Sequence, residues 1–124
     1  MKRAAWLVAG AAPALWGVYT WGSHLLTAGS IWRGAPDRRA VALTFDDGPD
    51  PAWTPAVLDA LRRGGVRATF FLIGQRAAAA SDLVRRAVAE GHELGNHTWS
   101  HRPLWLAGPG ATRDEIERGH EAVA

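Results

Sequence analysis

Two patterns of hydrophobic and polar positions divide the chain. From Ala4 to Trp32 no Asp, Glu, Lys or Arg occurs, and Lys2, Arg3 and Arg33 bracket the run. From Ala40 onward short apolar runs alternate with helix-periodic segments. Val41–Phe45 is an apolar run stopped by Asp46-Asp47-Gly48-Pro49, which predicts a buried strand ended by a turn. Thr54 before Pro55 predicts an N-cap and a proline at the first helical position. Val57, Leu58 and Leu61 then form one helical face, and Gly64-Gly65 stops it. Ala68–Ile73 predicts a second buried strand closed by Gly74. Ser81 predicts a cap for a helix carrying Leu83, Val84, Ala87 and Val88, with Gly91 just past its end. Glu93–Asn96 is a weaker third strand. Thr112-Arg113-Asp114-Glu115 has the pattern of a capping box opening a last helix through Ile116 and Val123.

Strands alternating with helices imply parallel βαβ units, whose chemistry gathers at the carboxyl ends of the strands. Asp46-Asp47 follows the first strand and His97 follows the third, so both are expected at that end. The segment 30–39, with Gly34, Pro36 and mixed charge, reads as a linker. Residues 1–29 read as a membrane anchor or a signal peptide. Ala4–Gly22 is 19 residues, or roughly 28 Å as a helix at about 1.5 Å per residue, close to a hydrocarbon core of about 30 Å. A cleaved signal has small-residue sites in Ala12-Pro13-Ala14 or Thr27-Ala28-Gly29. An uncleaved anchor better explains the length and the aromatics Trp6, Trp16, Tyr19 and Trp21 near the two ends. Either reading exports the rest of the chain, which is then membrane-anchored outside the cytoplasm or secreted.

Composition narrows the chemistry. The 124 residues contain no cysteine, which removes disulfides, thiolate metal sites and cysteine nucleophiles. A formal charge of +2 is too small to argue for a nucleic-acid partner. His97 and His101 are spaced to meet one ion, but such pairs are common by chance. Asp46-Asp47-Gly48-Pro49 alone also reads as an aspartate-stabilised turn. Together, two histidines and a carboxylate from adjacent strand ends make a three-ligand site for a divalent ion such as Zn²⁺, with a fourth position open for water. A second carboxylate beside the ligand suits hydrolysis. Trp53, Trp99 and Trp105 read equally as exposed stacking faces or as packing. His24 reads as a linker residue, Gln75 as a possible cleft residue, and His92 and His120 as surface or helix residues.

TFDDGPD at Thr44–Asp50 and HTWSH at His97–His101 resemble the first two motifs of the polysaccharide deacetylases, the NodB-homology domain. ATFFLIGQ and VAEGHELGNH between them are similar to that family too, and the resemblance covers 40–124. It implies a distorted (β/α) barrel, here expected to stop after about three βα units. It also implies metal-dependent removal of N- or O-acetyl groups from a glycan such as peptidoglycan, chitin or xylan. Carried over, Asp46 is the base that activates the water, and Asp47, His97 and His101 are the metal ligands. Zn²⁺ is the first expectation, with Co²⁺ or another divalent ion as alternatives. Thr98 and Ser100 take the small polar positions between the histidines, and Trp99 belongs to the same loop or cleft.

The family's arginine-proline-tyrosine loop, aspartate-tryptophan pair and leucine-x-histidine motif have no match here. The resemblance makes that last histidine the general acid, and His120, mid-helix, is a poor substitute. Two functions are therefore expected: a carbohydrate deacetylase represented by its N-terminal part, or a metal- or glycan-binding fragment that no longer turns over.

Overall fold

A computed structural model describes residues 39–124. The anchor or signal reading of 1–29, His24 and all but the last residue of the 30–39 linker lie outside the described residues. Three parallel strands form one sheet in the order β1 (Thr44–Gly48), β2 (Thr69–Leu72), β3 (Glu93–Asn96). Among the described residues, four helices accompany them: α1 (Thr54–Gly64), α2 (Gly74–Ala79), α3 (Ser81–Ala89) and α4 (Pro109–Val123). A 3-10 turn spans Leu104–Leu106. Among the described residues no helix is long and apolar enough to cross a membrane.

The alternation of β2 sets the layers. Phe70 and Leu72 are buried on one face, while Thr69 and Phe71 on the other are partly exposed. On the buried face Phe70 and Leu72 join Leu58 and Leu61 of α1, Ala77 of α2 and Ala87 of α3 in one apolar cluster. Phe45 of β1 stacks on Phe70 with ring centroids 5.1 Å apart. Leu58 is fully buried, and removing one such side chain from water is worth about 1.5–3 kcal/mol. Arg86 of α3 pairs with both Asp59 of α1 and Glu90, tying the two helices together at the rim of this cluster.

The first strand is shifted from its expected span. Val41 and Leu43 are exposed and precede the ladder, which starts where Thr44 pairs with Thr69. The expected turn Asp46–Gly48 is instead strand. Asp46 pairs with Phe71 and Gly48 with Leu72, leaving Asp47 as the extra residue of a bulge. The ladder lasts this long because it has a partner all the way: the Ile73 amide donates to the Gly48 carbonyl at 2.9 Å.

Three expected caps are displaced. Thr54 is the first helical residue rather than the cap. Asp50 does the capping work, its Oδ1 accepting from the Ala52 and Trp53 amides at 2.8 and 3.2 Å, while Thr54 Oγ1 accepts from the Asp50 amide. Ser81 likewise opens α3 from inside the helix, and its hydroxyl accepts from Arg85. The last helix begins at Pro109, three residues before the Thr112 expected to cap it. Glu115 is then too deep in the helix to reach the cap, and it is buried against the loop after β3. By contrast Gly65 does end α1 in the left-handed region, at φ 62°, and Gly91 follows α3 at φ 81°.

Helix α2 was not expected, because Gly74 reads as a terminator. Its glycine answers a steric demand: a Cβ there would lie 2.7 Å from Trp99 Cε3 and 3.1 Å from Gly119 Cα. His92 also departs from its surface reading. It is buried, its Nδ1 accepts from the Ala68 amide at 3.2 Å, and its ring meets the edge of Phe70. His120 is exposed on α4, as read.

Gly119 is buried on α4, and a Cβ there would collide with Asn96 Oδ1 and the Thr98 backbone. Alanine for glycine in an open helix stabilises by up to about 1 kcal/mol. Here Gly119→Ala is expected to destabilise by about 1–3 kcal/mol, because overpacking forces α4 off the loop. Urea unfolding of the two chains decides the sign.

Candidate metal centre

The site sits at the carboxyl ends of β1 and β3, on either side of the end of β2. The bulge explains how two consecutive aspartates reach it. Neighbours on a regular strand point to opposite faces, but a bulge bends the chain and re-aims a side chain. Asp47, the bulged residue, has φ 66°, a left-handed backbone that aspartate tolerates better than most residues. Arg76 of α2 holds this kink by donating from Nη1 to the Asp47 carbonyl at 2.6 Å. Asp46 and Asp47 line a shallow cleft with Asp50, Trp53 and Arg76.

His97 and His101 arrive on the loop after β3. The His97 amide continues the ladder, donating to the Leu72 carbonyl at 3.0 Å. Beyond it the chain leaves the sheet through two left-handed residues, Thr98 at φ 66° and His101 at φ 58°. For a β-branched residue such as threonine this is a true outlier, and such residues persist only when their surroundings over-determine them. The surroundings do so from three sides. Asn96 Oδ1 accepts from the Thr98 amide at 2.8 Å, and its Nδ2 donates to the Ile116 carbonyl. The Gly74 and Gln75 amides of α2 donate to the Thr98 and Trp99 carbonyls, each at 2.9 Å. Glu115 of α4 accepts from the Ser100 amide and hydroxyl, each at 2.8 Å, and from Arg102 Nε at 3.0 Å. Within the loop, Thr98 Oγ1 accepts from the His101 amide at 3.1 Å.

The result is a convergent donor set. His97 Nε2 lies 3.2 Å and His101 Nε2 3.3 Å from Asp47 Oδ1, and the three ligand atoms all fall within 4.8 Å of one another. Ligands bound tetrahedrally at about 2.0–2.1 Å stand about 3.3 Å apart, and these two spacings fit a divalent ion between them. Two imidazoles and a carboxylate also match the donor chemistry of Zn²⁺ and related ions. The site is open, with side-chain exposures of 31% for His97, 50% for His101 and 54% for Asp47. A polymeric ligand can therefore approach it.

The aromatic candidates separate. Trp53 and Trp105 are exposed. Trp99 packs against Gly74, and the Arg118 guanidinium covers its ring at 4.2 Å, so one of its faces is already taken. Gln75 is exposed, and its backbone rather than its side chain braces the loop. Phe71 stands over Gly95 and faces His97 with ring centroids 6.4 Å apart. Sequence reasoning missed three supporting residues: Arg76, Asn96 and Glu115. Only Glu115 carried a signal, and the S/T-x-x-E pattern pointed it toward the wrong partner.

Burial by itself pushes the Glu115 carboxyl up, but the Ser100 amide, the Ser100 hydroxyl and the Arg102 charge outweigh it and hold the group below its ordinary value. A depressed folded value means the charged form contributes stability that is complete above the unfolded value of about 4.3. That contribution is lost as pH falls through the folded value. Glu115→Gln is therefore expected to flatten the fall in stability below about pH 4.3. Urea midpoints across the acid range measure it, and parallel curves for the two chains would refute the assignment.

Comparison with known proteins places these features in a family. A family model described as polysaccharide deacetylase matches residues 33–124. The chain is 49% identical over 85 residues to a chitooligosaccharide deacetylase of Bradyrhizobium sp., covering 68% of this chain and 39% of that protein. It is 41% identical over 108 residues to a peptidoglycan-N-acetylglucosamine deacetylase of Bacillus cereus, covering 87% of this chain and 38% of that one. Among solved structures, a family 4 acetyl xylan esterase from Clostridium thermocellum in complex with a cobalt ion superposes with a TM-score of 0.63. That pair is 42% identical, covering 66% of this chain and 40% of the other. The chain thus spans about two fifths of the length of these relatives. On a family match over most of its residues, the chain belongs to the polysaccharide deacetylase family.

Proposed function

We propose that the protein is a metal-dependent hydrolase that removes acetyl groups from a glycan, with peptidoglycan and chitin-like oligosaccharides as the leading substrate classes. The observation that carries this reading is the convergence of Asp47, His97 and His101, with both imidazole Nε2 atoms 3.2–3.3 Å from Asp47 Oδ1 and all three ligand atoms within 4.8 Å of one another, next in sequence to Asp46. The named activities of the relatives and the cobalt ion in the esterase structure support it. Zn²⁺ is the first candidate for the ion, with Co²⁺ or another divalent ion next. The reading also places the domain outside the cytoplasm, held at the membrane by residues 1–29 or released by their cleavage. The charge-free run after Lys2 and Arg3 supports that placement.

Each residue has a defined task. Asp47, His97 and His101 would hold the ion, which would supply Lewis-acid polarisation of the acetyl carbonyl and a water of lowered pKa. Asp46 would act as the base, taking up the proton of the attacking water. Thr98 and Ser100 keep the histidine loop in its left-handed form. The exposed Trp53 offers an apolar face to a sugar ring at the mouth of the Asp46–Asp47 cleft.

A second reading is metal or glycan binding without turnover. Acetate release from acetylated chitooligosaccharides and peptidoglycan fragments, with and without chelator, separates the two. Chelator-sensitive release supports the hydrolase. Metal binding with no release supports the second reading.

Two substitutions test the roles. Asp47→Ala and His97→Ala are each expected to abolish stoichiometric Zn²⁺ binding in calorimetry, and undiminished binding would remove both from the ligand set. Asp46→Asn is expected to retain the ion while lowering turnover by about 10²–10⁴, the usual worth of a positioned acid or base. Turnover unchanged in that variant would exclude Asp46 as the base.

A further inference from the structure

We infer that Glu115 is a positioning residue for the metal centre, acting through Ser100 and Arg102 to set the place of His101. The inference rests on the metal-binding reading of Asp47, His97 and His101.

The two histidines reach the site by different means. His97 is fixed by the sheet, since its own amide is part of the ladder between β2 and β3. His101 has no such support. It sits in the left-handed region at φ 58°, and its amide donates to Thr98 Oγ1 within the loop rather than to a neighbouring strand. What remains is the clamp on its two neighbours. Glu115 takes the Ser100 amide on Oε2, and the Ser100 hydroxyl and Arg102 Nε on Oε1. One carboxylate thereby grips the residues before and after His101.

The carboxylate is suited to the work. It is 3% exposed, so its bonds compete little with water. Hydrogen bonds to a charged acceptor are about twice as strong as neutral ones. Its backbone adds a third hold, because the Glu115 carbonyl accepts from the Trp99 amide at 2.9 Å. The helix that carries it is pressed onto the same loop at Gly119. A backbone that is strained and gripped on both sides presents its imidazole at one place. Residues that orient a metal ligand without touching the ion are typically worth about 10–100-fold in affinity.

The test uses the 124-residue chain and Co²⁺, read by calorimetry and by its visible absorption. Wild type is expected to bind one ion. Glu115→Gln, which keeps shape but loses charge and one acceptor, is expected to bind about 10–100-fold more weakly, with an altered absorption spectrum and unchanged far-ultraviolet dichroism. Ser100→Ala is expected to lose affinity by a smaller factor, and Ser100→Thr, which restores the hydroxyl, to recover it. If Glu115→Gln melts earlier yet binds Co²⁺ with wild-type affinity and spectrum while folded, its role is structural only and the inference is overturned. If Glu115→Gln does not fold, the serine pair decides, and wild-type affinity in Ser100→Ala overturns it. Failure of the wild-type chain itself to bind Co²⁺ overturns the metal-site reading, and this inference with it, before any variant is considered.

Discussion

The arrangement of the site depends on a loop held in a conformation it would not choose. Between His97 and His101 the chain must turn out of the sheet and bring a second imidazole back over the first. The two rings end with centroids 4.8 Å apart, and the route runs through left-handed backbone at Thr98 and His101. Each such residue costs about 1–3 kcal/mol. Within the loop the His101 amide donates to Thr98 Oγ1. The balance comes from α2 on one side, α4 on the other and Asn96 beneath, which together satisfy the loop's amides and carbonyls.

This constraint organises residues that otherwise have no common purpose. Gly74 and Gly119 are small because two helices must approach the loop closely. Trp99 packs against Gly74 with Arg118 over its ring. Gly95 is small because Phe71 lies across it, beside His97. The same logic repeats at β1, where Arg76 supports the bulge that turns Asp47 toward the histidines. The apolar cluster of Leu58, Leu61, Phe70 and Leu72 on the opposite face gives the three strands their rigidity. The three strand ends are thereby held at fixed places beside one another.

Much of this was legible in the residue pattern, and the gaps have physical causes. The order of strands and helices follows from apolar runs punctuated by Gly, Pro and Asp. The convergence of Asp47, His97 and His101 was expected from the family resemblance and from motifs at adjacent strand ends. The strand start at Thr44, rather than Val41, depends on how far β2 extends as a partner. The caps failed for a related reason. Thr54, Ser81 and Glu115 all have the right side chains for capping, but Asp50, Arg85 and the Ser100 loop offered them other partners. His92 looked like a surface histidine because nothing local announces that the Ala68 amide needs an acceptor.

By itself the sequence determined the family, the parallel α/β order, and the identity of the groups that converge. These are properties of local pattern and of motif chemistry. Only the tertiary structure decided that Asp47 sits on a bulge, that an unheralded helix starts at Gly74, and that Glu115 faces the histidine loop rather than its own helix end. Those outcomes are settled by steric fit and by hydrogen-bond partners distant in sequence, Glu115 lying 15 residues from Ser100 and Arg76 lying 29 from Asp47. A side chain's capacity to accept a hydrogen bond is written in its type. Which donor it meets is decided by packing.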